Sequence, residues 1–140
     1  MDKFDQMLAK FQPAALSLLR FITGLLFLHF GIAKLLKFPV IPEGTYYAFI
    51  NKVQLTSLSG TAGAIELVLG ALLLVGLFTR PVAFILAGEM AFAYFIAHAS
   101  KSFFPIINGG LLAILFCFVS LYLATAGGGP YSLDAMMRRK

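Results

Sequence analysis

The sequence is poor in charged residues. Asp, Glu, Lys and Arg make up 12% of its 140 residues, whereas hydrophobic residues make up 60%. A soluble domain carries about 25% charged residues, so this chain has too little polar surface to cover a water-soluble globule. The shortage of charge predicts a single domain over residues 1–140 that is surrounded mainly by the lipid bilayer.

Cysteine is also nearly absent, since Cys117 is the only one and lies within an apolar run. A single cysteine excludes an intramolecular disulfide, a CxxC redox pair and a cysteine zinc site. Redox chemistry would therefore require a bound cofactor or a partner protein. The sequence also lacks a phosphate-binding glycine loop, a serine or cysteine triad and paired metal-ligand spacing, so we assign no catalytic residue and no metal ligand.

The net charge of +5 does not indicate a nucleic-acid partner. The basic residues lie at the ends of apolar segments and are not interleaved with aromatic residues. Anionic lipid head groups fit this distribution better.

Four apolar stretches are long enough, or nearly so, to cross a bilayer as helices, which takes about 20 residues each. The predicted spans cover residues 14–36, 58–78, 81–98 and 106–126. Pro13 stands at a favourable helix start, and Thr79-Arg80-Pro81 predicts a tight turn that makes spans two and three antiparallel neighbours. The sequence thus predicts an all-α fold, a transmembrane four-helix bundle.

Residues 37–57 form the only long connection, with Pro39, Pro42 and Gly44 followed by Tyr46 and Tyr47. Tyrosines favour the head-group layer of a membrane. We expect a loop with a short interfacial helix between helices one and two. A re-entrant lid over the bundle is the alternative.

Basic residues favour one orientation in the membrane. An even number of spans places both termini on one side, and that side carries six basic residues: Lys3, Lys10, Arg80, Arg138, Arg139 and Lys140. The other side carries four: Lys34, Lys37, Lys52 and Lys101. The positive-inside rule then predicts a multi-pass protein with both termini in the cytoplasm. A short helix starting at Ser132 is expected to lie on the inner leaflet.

Four charged residues lie within or at the end of the predicted spans: Arg20, Lys34, Glu66 and Glu89. An ionised group at mid-membrane costs at least ~2.5–3.5 kcal/mol, so each needs a partner or a role. Counting ~1.5 Å per residue from the cytoplasmic ends places Arg20 and Glu89 in one layer and Glu66 within reach of Lys34. We therefore expect the two cations and two carboxylates to neutralise each other.

The helical period turns these charged groups toward small residues. Arg20 and Lys34 share a stripe with Gly24 and Gly31, and Glu66 shares its face with three small residues, Ala62, Gly63 and Gly70. Small residues let helices approach closely in lipid. The charged faces are thus predicted to point into the bundle.

The two histidines are not expected to form one site. His29 lies about 180° around the helix from Arg20, so it faces another helix, a second subunit or the outer interface. His98 stands at a predicted helix end, near Asn108 in depth, where a histidine commonly forms interfacial hydrogen bonds. The phase of His29 disfavours a haem ligated by both.

Several motifs, in order, resemble the DoxX family over residues 16–134. Arg20, Gly24 and the run from His29 to Leu35 resemble its first helix, and residues 66–80 resemble its second helix and turn. Later stretches resemble the third helix, the start of the fourth and the closing motif: Glu89-Met90-Ala91, His98, Phe104-Pro105, Asn108-Gly109-Gly110, Gly127-Gly128-Gly129 and Ser132-Leu133-Asp134.

The resemblance implies a small four-helix protein of the bacterial inner membrane. Such proteins are associated with redox and thiol-stress systems and with quinone-linked sulfur oxidation, often as membrane partners of a soluble oxidoreductase. Relatives commonly carry a glutamate just after the Asn-Gly-Gly stretch, where this chain has Leu111. If that acid binds a ligand or moves a proton, Glu66 or Glu89 would carry this function here.

Two functions follow as hypotheses. The first is a redox- or quinone-associated subunit with a polar ligand pocket formed by Arg20, Lys34, Glu66, Glu89, His98 and Asn108. The alternative is a non-enzymatic membrane scaffold or assembly factor whose intramembrane charges are structural. A small-solute transporter is a third and weaker hypothesis. The small-residue faces also fit a homo-oligomer, since they can pack within or between chains.

Overall fold

A computed structural model describes residues 2–139, and within that range the chain is helical without any strand. The six α-helices are α1 Lys3–Leu36, α2 Leu58–Val75, α3 Thr79–Ala93, α4 Pro105–Asn108, α5 Leu111–Ala126 and α6 Leu133–Arg138. A 3-10 turn over Ala48–Lys52 lies between α1 and α2, and a π-helical turn over Tyr94–His98 extends α3. Lys140 of the basic tail lies outside the described residues.

Within residues 2–139, three apolar helices are long enough to cross a membrane: Lys3–Leu36, Leu58–Val75 and Thr79–His98. The chain is therefore a multi-pass membrane protein. The helix α5 is apolar but has only 16 residues, about 24 Å of length against a hydrocarbon core of ~30 Å. Its role as a fourth span stays a prediction.

The first helix begins at Lys3, so the predicted helix start at Pro13 is wrong. Pro13 lies inside α1, and the side chain of Asp2 caps the helix by accepting a hydrogen bond of 2.8 Å from the Lys3 N–H. Residues 3–12 include good helix formers such as Lys, Gln, Met and Leu but are too polar for a membrane span. Hydropathy thus located the apolar part of a longer helix.

The turn between α2 and α3 lies earlier than predicted, at Gly76–Phe78 rather than Thr79–Pro81. Gly76 ends α2 in the left-handed conformation with φ 72°, which glycine adopts without steric cost. Thr79 then begins α3. The two helices contact each other, as the prediction of neighbouring spans required.

The fourth apolar stretch is broken, whereas the prediction made it one helix over residues 106–126. Gly109 has φ 74°, and Asn108 accepts a hydrogen bond of 2.8 Å from the Gly110 N–H through its side-chain oxygen. A left-handed glycine next to a side chain that bonds the backbone stops the helix. The result is the short α4 followed by α5.

The bundle is built from two tight pairs, α1 with α2 and α3 with α5. The core between the pairs contains Phe27, Leu73, Leu86 and Leu123, all at most 2% exposed. Many large apolar side chains on the outside remain exposed, for example Phe84 and Phe118. Such an exterior is typical of a protein whose solvent is lipid.

Glycines bring the backbones of α1 and α2 into contact. A Cβ atom at Gly24 would lie 2.6 Å from Leu74 Cα, and one at Gly31 would lie 2.6 Å from Leu67 Cα. At Gly70 it would lie 3.0 Å from Leu28 Cα. The predicted close approach along the small-residue stripes is confirmed.

Asp134 in α6 caps the first turn of α3. Its carboxylate accepts hydrogen bonds of 2.8 Å from the Phe78 N–H and from the Thr79 N–H. Burial alone would raise the pKa of the Asp134 carboxyl, but these backbone bonds and the charge of Arg138 outweigh it and lower this pKa. A distant aspartate thus supplies the cap that α3 lacks locally, since Phe78 offers no side-chain acceptor.

We expect Gly24→Ala and Gly31→Ala each to lower the free energy of unfolding by about 1–3 kcal/mol, because the added methyl group collides with backbone. The measurement is thermal unfolding of the purified protein in detergent. Gly88→Ala is the matched control, because nothing lies within 4 Å of a Cβ there. Equal midpoints for Gly24→Ala, Gly31→Ala and the control would contradict the backbone contact.

We expect Asp134→Asn to destabilise the protein by about 1 kcal/mol at pH 7, because the variant loses a charged helix cap. Since folding lowers the Asp134 pKa, the cap stabilises fully above about pH 4 and loses its effect as the pH falls through the lowered native value. Thermal midpoints of the two proteins should therefore differ at pH 7 and converge at strongly acidic pH. A difference that is constant over this range would be evidence against the cap.

Candidate functional site

A cavity of about 780 Å³ lies within the bundle. Residues of α1, the 3-10 turn, α2, α3, the π-helical turn and α5 form its walls, which are mostly apolar and include Phe27, Ile65 and Phe116. Among the polar side chains that line it are Lys34, Glu66, Glu89 and His98. An apolar cavity with a few convergent polar groups is the usual form of a small-molecule site.

Lys34 of α1 and Glu66 of α2 form a buried ion pair on one wall. The Lys34 Nζ lies 2.9 Å from Glu66 Oε1 and 2.8 Å from Oε2. Glu66 is 3% exposed. Gly63 leaves room for the lysine stem, since a Cβ there would lie 2.8 Å from Lys34 Cβ. The predicted reach between Lys34 and Glu66 is confirmed.

Glu89 of α3 faces the same cavity without a partner of its own. Both of its carboxyl oxygens are buried, and neither has a hydrogen-bond partner among the residues that the structure describes. The charges that act on it are those of Glu66 and Lys34, which already neutralise each other. A buried polar group left unpaired costs about 1–3 kcal/mol, so this carboxyl is the group that a ligand or water would satisfy.

Arg20 does not pair with Glu89, and that prediction is wrong. Its guanidinium donates to backbone carbonyls of Leu73 (3.5 Å), Gly128 (3.4 Å), Leu74 and Tyr131. It thereby satisfies the carbonyls left open at the end of α2, and the acid that acts on its charge is Asp134.

The predicted pairing of Arg20 with Glu89 failed because the two residues lie at different depths in the bundle. Arg20 lies level with the end of α2, whereas Glu89 lies ten residues beyond the first residue of α3, Thr79. That distance along the helix is about 15 Å. Counting from residue 14 assumed that span one starts level with α3, whereas the packing of α1 against α2 places Arg20, six residues further along, level with the end of α2.

His98 lines the cavity, and the backbone carbonyl of Asn108, outside the cavity lining, orients the imidazole ring. The His98 Nδ1 lies 2.9 Å from the Asn108 carbonyl oxygen. A carbonyl only accepts, so Nδ1 carries the proton and the second ring nitrogen, Nε2, is free to bind. The imidazole also stacks on Tyr94, with ring centroids 6.5 Å apart.

Asn108 itself is not a cavity residue. It is 3% exposed, and its side-chain amide donates to the Tyr94 hydroxyl (3.2 Å) and to the Ser102 carbonyl (2.9 Å). The residue holds the connection between α3 and α5 in place. Of the six predicted pocket residues, the cavity thus brings together Lys34, Glu66, Glu89 and His98, and it leaves out Arg20 and Asn108.

The connection after α1 also contributes to the site. Tyr46, Tyr47 and Ile50 line the cavity, and the Tyr46 hydroxyl donates to the Gly109 carbonyl at 3.2 Å. These three residues were not among the predicted site residues, although the Tyr46-Tyr47 pair was a signal for them. The 3-10 turn over Ala48–Lys52 agrees with the predicted short helix in this connection, and the re-entrant lid stays a prediction.

His29 is exposed on the outer face of α1 and does not line the cavity. The two histidines therefore lie at different places, which agrees with the predicted phase. Among residues 2–139, no group of three or more His, Cys, Asp and Glu side chains is placed to hold a metal ion.

A family model described as DoxX matches residues 15–99. An uncharacterized protein of Haemophilus influenzae is 41% identical over 136 residues, which span 95% of this chain and 98% of that protein. No solved structure matches this chain.

We expect Lys34→Met and Glu66→Gln each to destabilise the protein by about 3–5 kcal/mol, because each leaves a buried charge unpaired. The double variant should lose less free energy of unfolding than the two single variants lose together. Unfolding in detergent of the four proteins gives the coupling energy. Lys52→Met, at an exposed lysine of the 3-10 turn, is the control, and strictly additive losses would contradict the pair.

Proposed function

We propose that this chain, which belongs to the DoxX family, is the membrane subunit of a redox system and binds a quinone-type molecule in its cavity. The observation that carries the proposal is Glu89. It places an unpartnered carboxyl in the wall of a cavity that is otherwise mostly apolar. A ligand with an apolar body and polar oxygen atoms would satisfy both properties of the site.

The cavity fits such a ligand in size and chemistry. A volume of about 780 Å³ lies within the range of small-molecule sites, about 300–1,000 Å³. Aromatic and aliphatic walls, including Phe27, Ile65 and Phe116, suit a planar ring and a hydrocarbon tail. The polar groups suit the two oxygens of a quinone or quinol.

Each polar residue would have a defined role. His98 would accept a hydrogen bond from a ligand hydroxyl at Nε2, since Asn108 holds the other ring nitrogen. Glu89 would accept when ionised and donate when protonated, so it would hold the proton that a ligand oxygen gains or loses. Lys34 has three N–H donors, and its pairing with Glu66 leaves one for a ligand oxygen.

A quinone supplies two-electron, two-proton chemistry when bound, and the electrons need a second partner. The chain has one cysteine and hence no dithiol of its own. We therefore assign the other half of the reaction to a partner oxidoreductase. The residues of this chain bind and orient the ligand and hold protons.

We place the protein in the bacterial inner membrane with α5 as its fourth and shortest span and both termini in the cytoplasm. Arg80 and Arg138 lie near the end of the molecule where α2 meets α3, whereas His98 and Lys101 follow the far end of α3. With the more basic end inside, the cavity lies toward the outer half of the bilayer.

The test is to extract the protein in mild detergent and to quantify quinone that co-purifies with it. We expect bound quinone and an increase in thermal midpoint when a short-chain quinone is added. Glu89→Leu should weaken binding about tenfold, because it removes one hydrogen bond to a chargeable group. Glu43→Gln, at an exposed acid in the loop after α1, should bind like the wild type.

Wild-type protein that contains no quinone and shows no shift with added quinone would refute the proposal.

A scaffold or assembly factor is then the second candidate. It is supported by Arg20 and by the Lys34–Glu66 pair, which join separate parts of the chain. In that case Glu89→Leu should leave crosslinking to a protein partner and cellular redox-stress resistance unchanged.

A further inference from the structure

A second hollow, of about 370 Å³, lies between the loop that follows α5 and the end of α6. Its lining includes Arg80, Arg138, Arg139 and the loop residues Gly127–Pro130. We refer to it as the arginine hollow. It is separate from the cavity and shares no lining residue with it.

The positive charge of the arginine hollow is not compensated from within. All three arginines are exposed, and none of the residues that line the hollow is acidic. Asp134 is the acid whose charge acts on Arg138, but its carboxylate already binds the Phe78 and Thr79 N–H groups. Three guanidinium groups around one hollow repel each other unless an anion binds between them.

One side of the hollow is held in place. Arg80 donates through Nη1 to the carbonyls of Ala124 (3.3 Å) and Thr125. Its Nη2 faces Gly127, where a Cβ would lie 3.5 Å away. Gly127 and Gly129 have positive φ, 87° and 76°, which glycine adopts readily, and the absence of side chains keeps the loop open toward the arginines.

The position of the arginine hollow identifies the source of the anion. It lies where α3 begins and α5 ends, the level at which apolar helices leave the hydrocarbon and meet phospholipid phosphates. Phe84 follows Arg80 by one helical turn on the same face of α3 and is 66% exposed. An acyl chain can therefore extend along α3 from a phosphate bound at Arg80.

We propose that the arginine hollow binds the phosphate of an anionic phospholipid headgroup. Guanidinium groups bind phosphate oxygens through paired, charge-assisted hydrogen bonds. The three arginines supply such donors around one opening, and a lipid bound there would attach α6 to the membrane surface. The site is independent of the proposed quinone cavity.

The experiment is native mass spectrometry of the full chain released from nanodiscs that contain equal amounts of phosphatidylglycerol and phosphatidylcholine. We expect the wild type to retain phosphatidylglycerol selectively. The double variant Arg138→Gln/Arg139→Gln should retain it about tenfold less, because charge-assisted bonds are lost. Lys3→Gln/Lys10→Gln removes the same net charge from exposed positions of α1 and should behave like the wild type.

Three results would overturn the proposal. Equal retention by the wild type and the arginine variant would mean that the hollow does not hold the lipid. An equal loss in the lysine variant would mean that net charge alone attracts it. Stabilisation of lipid-free protein by inorganic phosphate, without selective retention of phosphatidylglycerol, would assign the site to a free anion. Thermal midpoints in pure phosphatidylcholine verify that each variant is folded.

Discussion

The contact between the backbones of α1 and α2 determines most of this structure. Gly24, Gly31 and Gly70 remove the side chains that would otherwise separate the two helices. In lipid, where the hydrophobic effect does not drive helices together, such close packing supplies the attraction. The contact also sets the axial alignment that brings Lys34 beside Glu66 and Arg20 beside the end of α2. One helix pair thus neutralises Lys34 with Glu66 and, at a different depth, offers Arg20 the carbonyl acceptors of Leu73 and Leu74.

The remaining intramembrane acid lies on the other helix pair, and this separation gives the molecule its candidate site. The pair of α3 with α5 carries Glu89, and Arg80, the cation of α3, donates to the carbonyls of Ala124 and Thr125 rather than to that carboxyl. Because α1 and α2 satisfy their own charges, Glu89 is left facing the cavity between the pairs. The buried ion pair thus lies on one helix pair, and the unpartnered carboxyl lies on the other.

The two ends of the molecule are closed by different means. At one end Asp134 caps α3 and Arg20 caps α2, so the chain after α5 is tied to both helices by charged hydrogen bonds to backbone. At the other end neutral hydrogen bonds of Asn108, Tyr94 and Tyr46 join the connections, and the charged Lys37 Nζ donates to the carbonyls of Ile50 (3.2 Å) and Val53. This end is where the connection after α1 lines the cavity.

The sequence by itself determined the membrane environment, the helical class, the inward faces of α1 and α2 and the partnership of Lys34 with Glu66. Composition and the 3.6-residue period suffice to predict these features. Each feature depends either on a single helix or on the small-residue stripes of α1 and α2. Only the tertiary structure decided that Arg20 binds carbonyls, that Asn108 stabilises a connection and that Glu89 has no partner. These depend both on how far one helix is shifted along another and on where the helices start and break. Capping by Asp2, the tolerance of Pro13 within α1 and the left-handed Gly109 placed those points, and hydropathy does not register them.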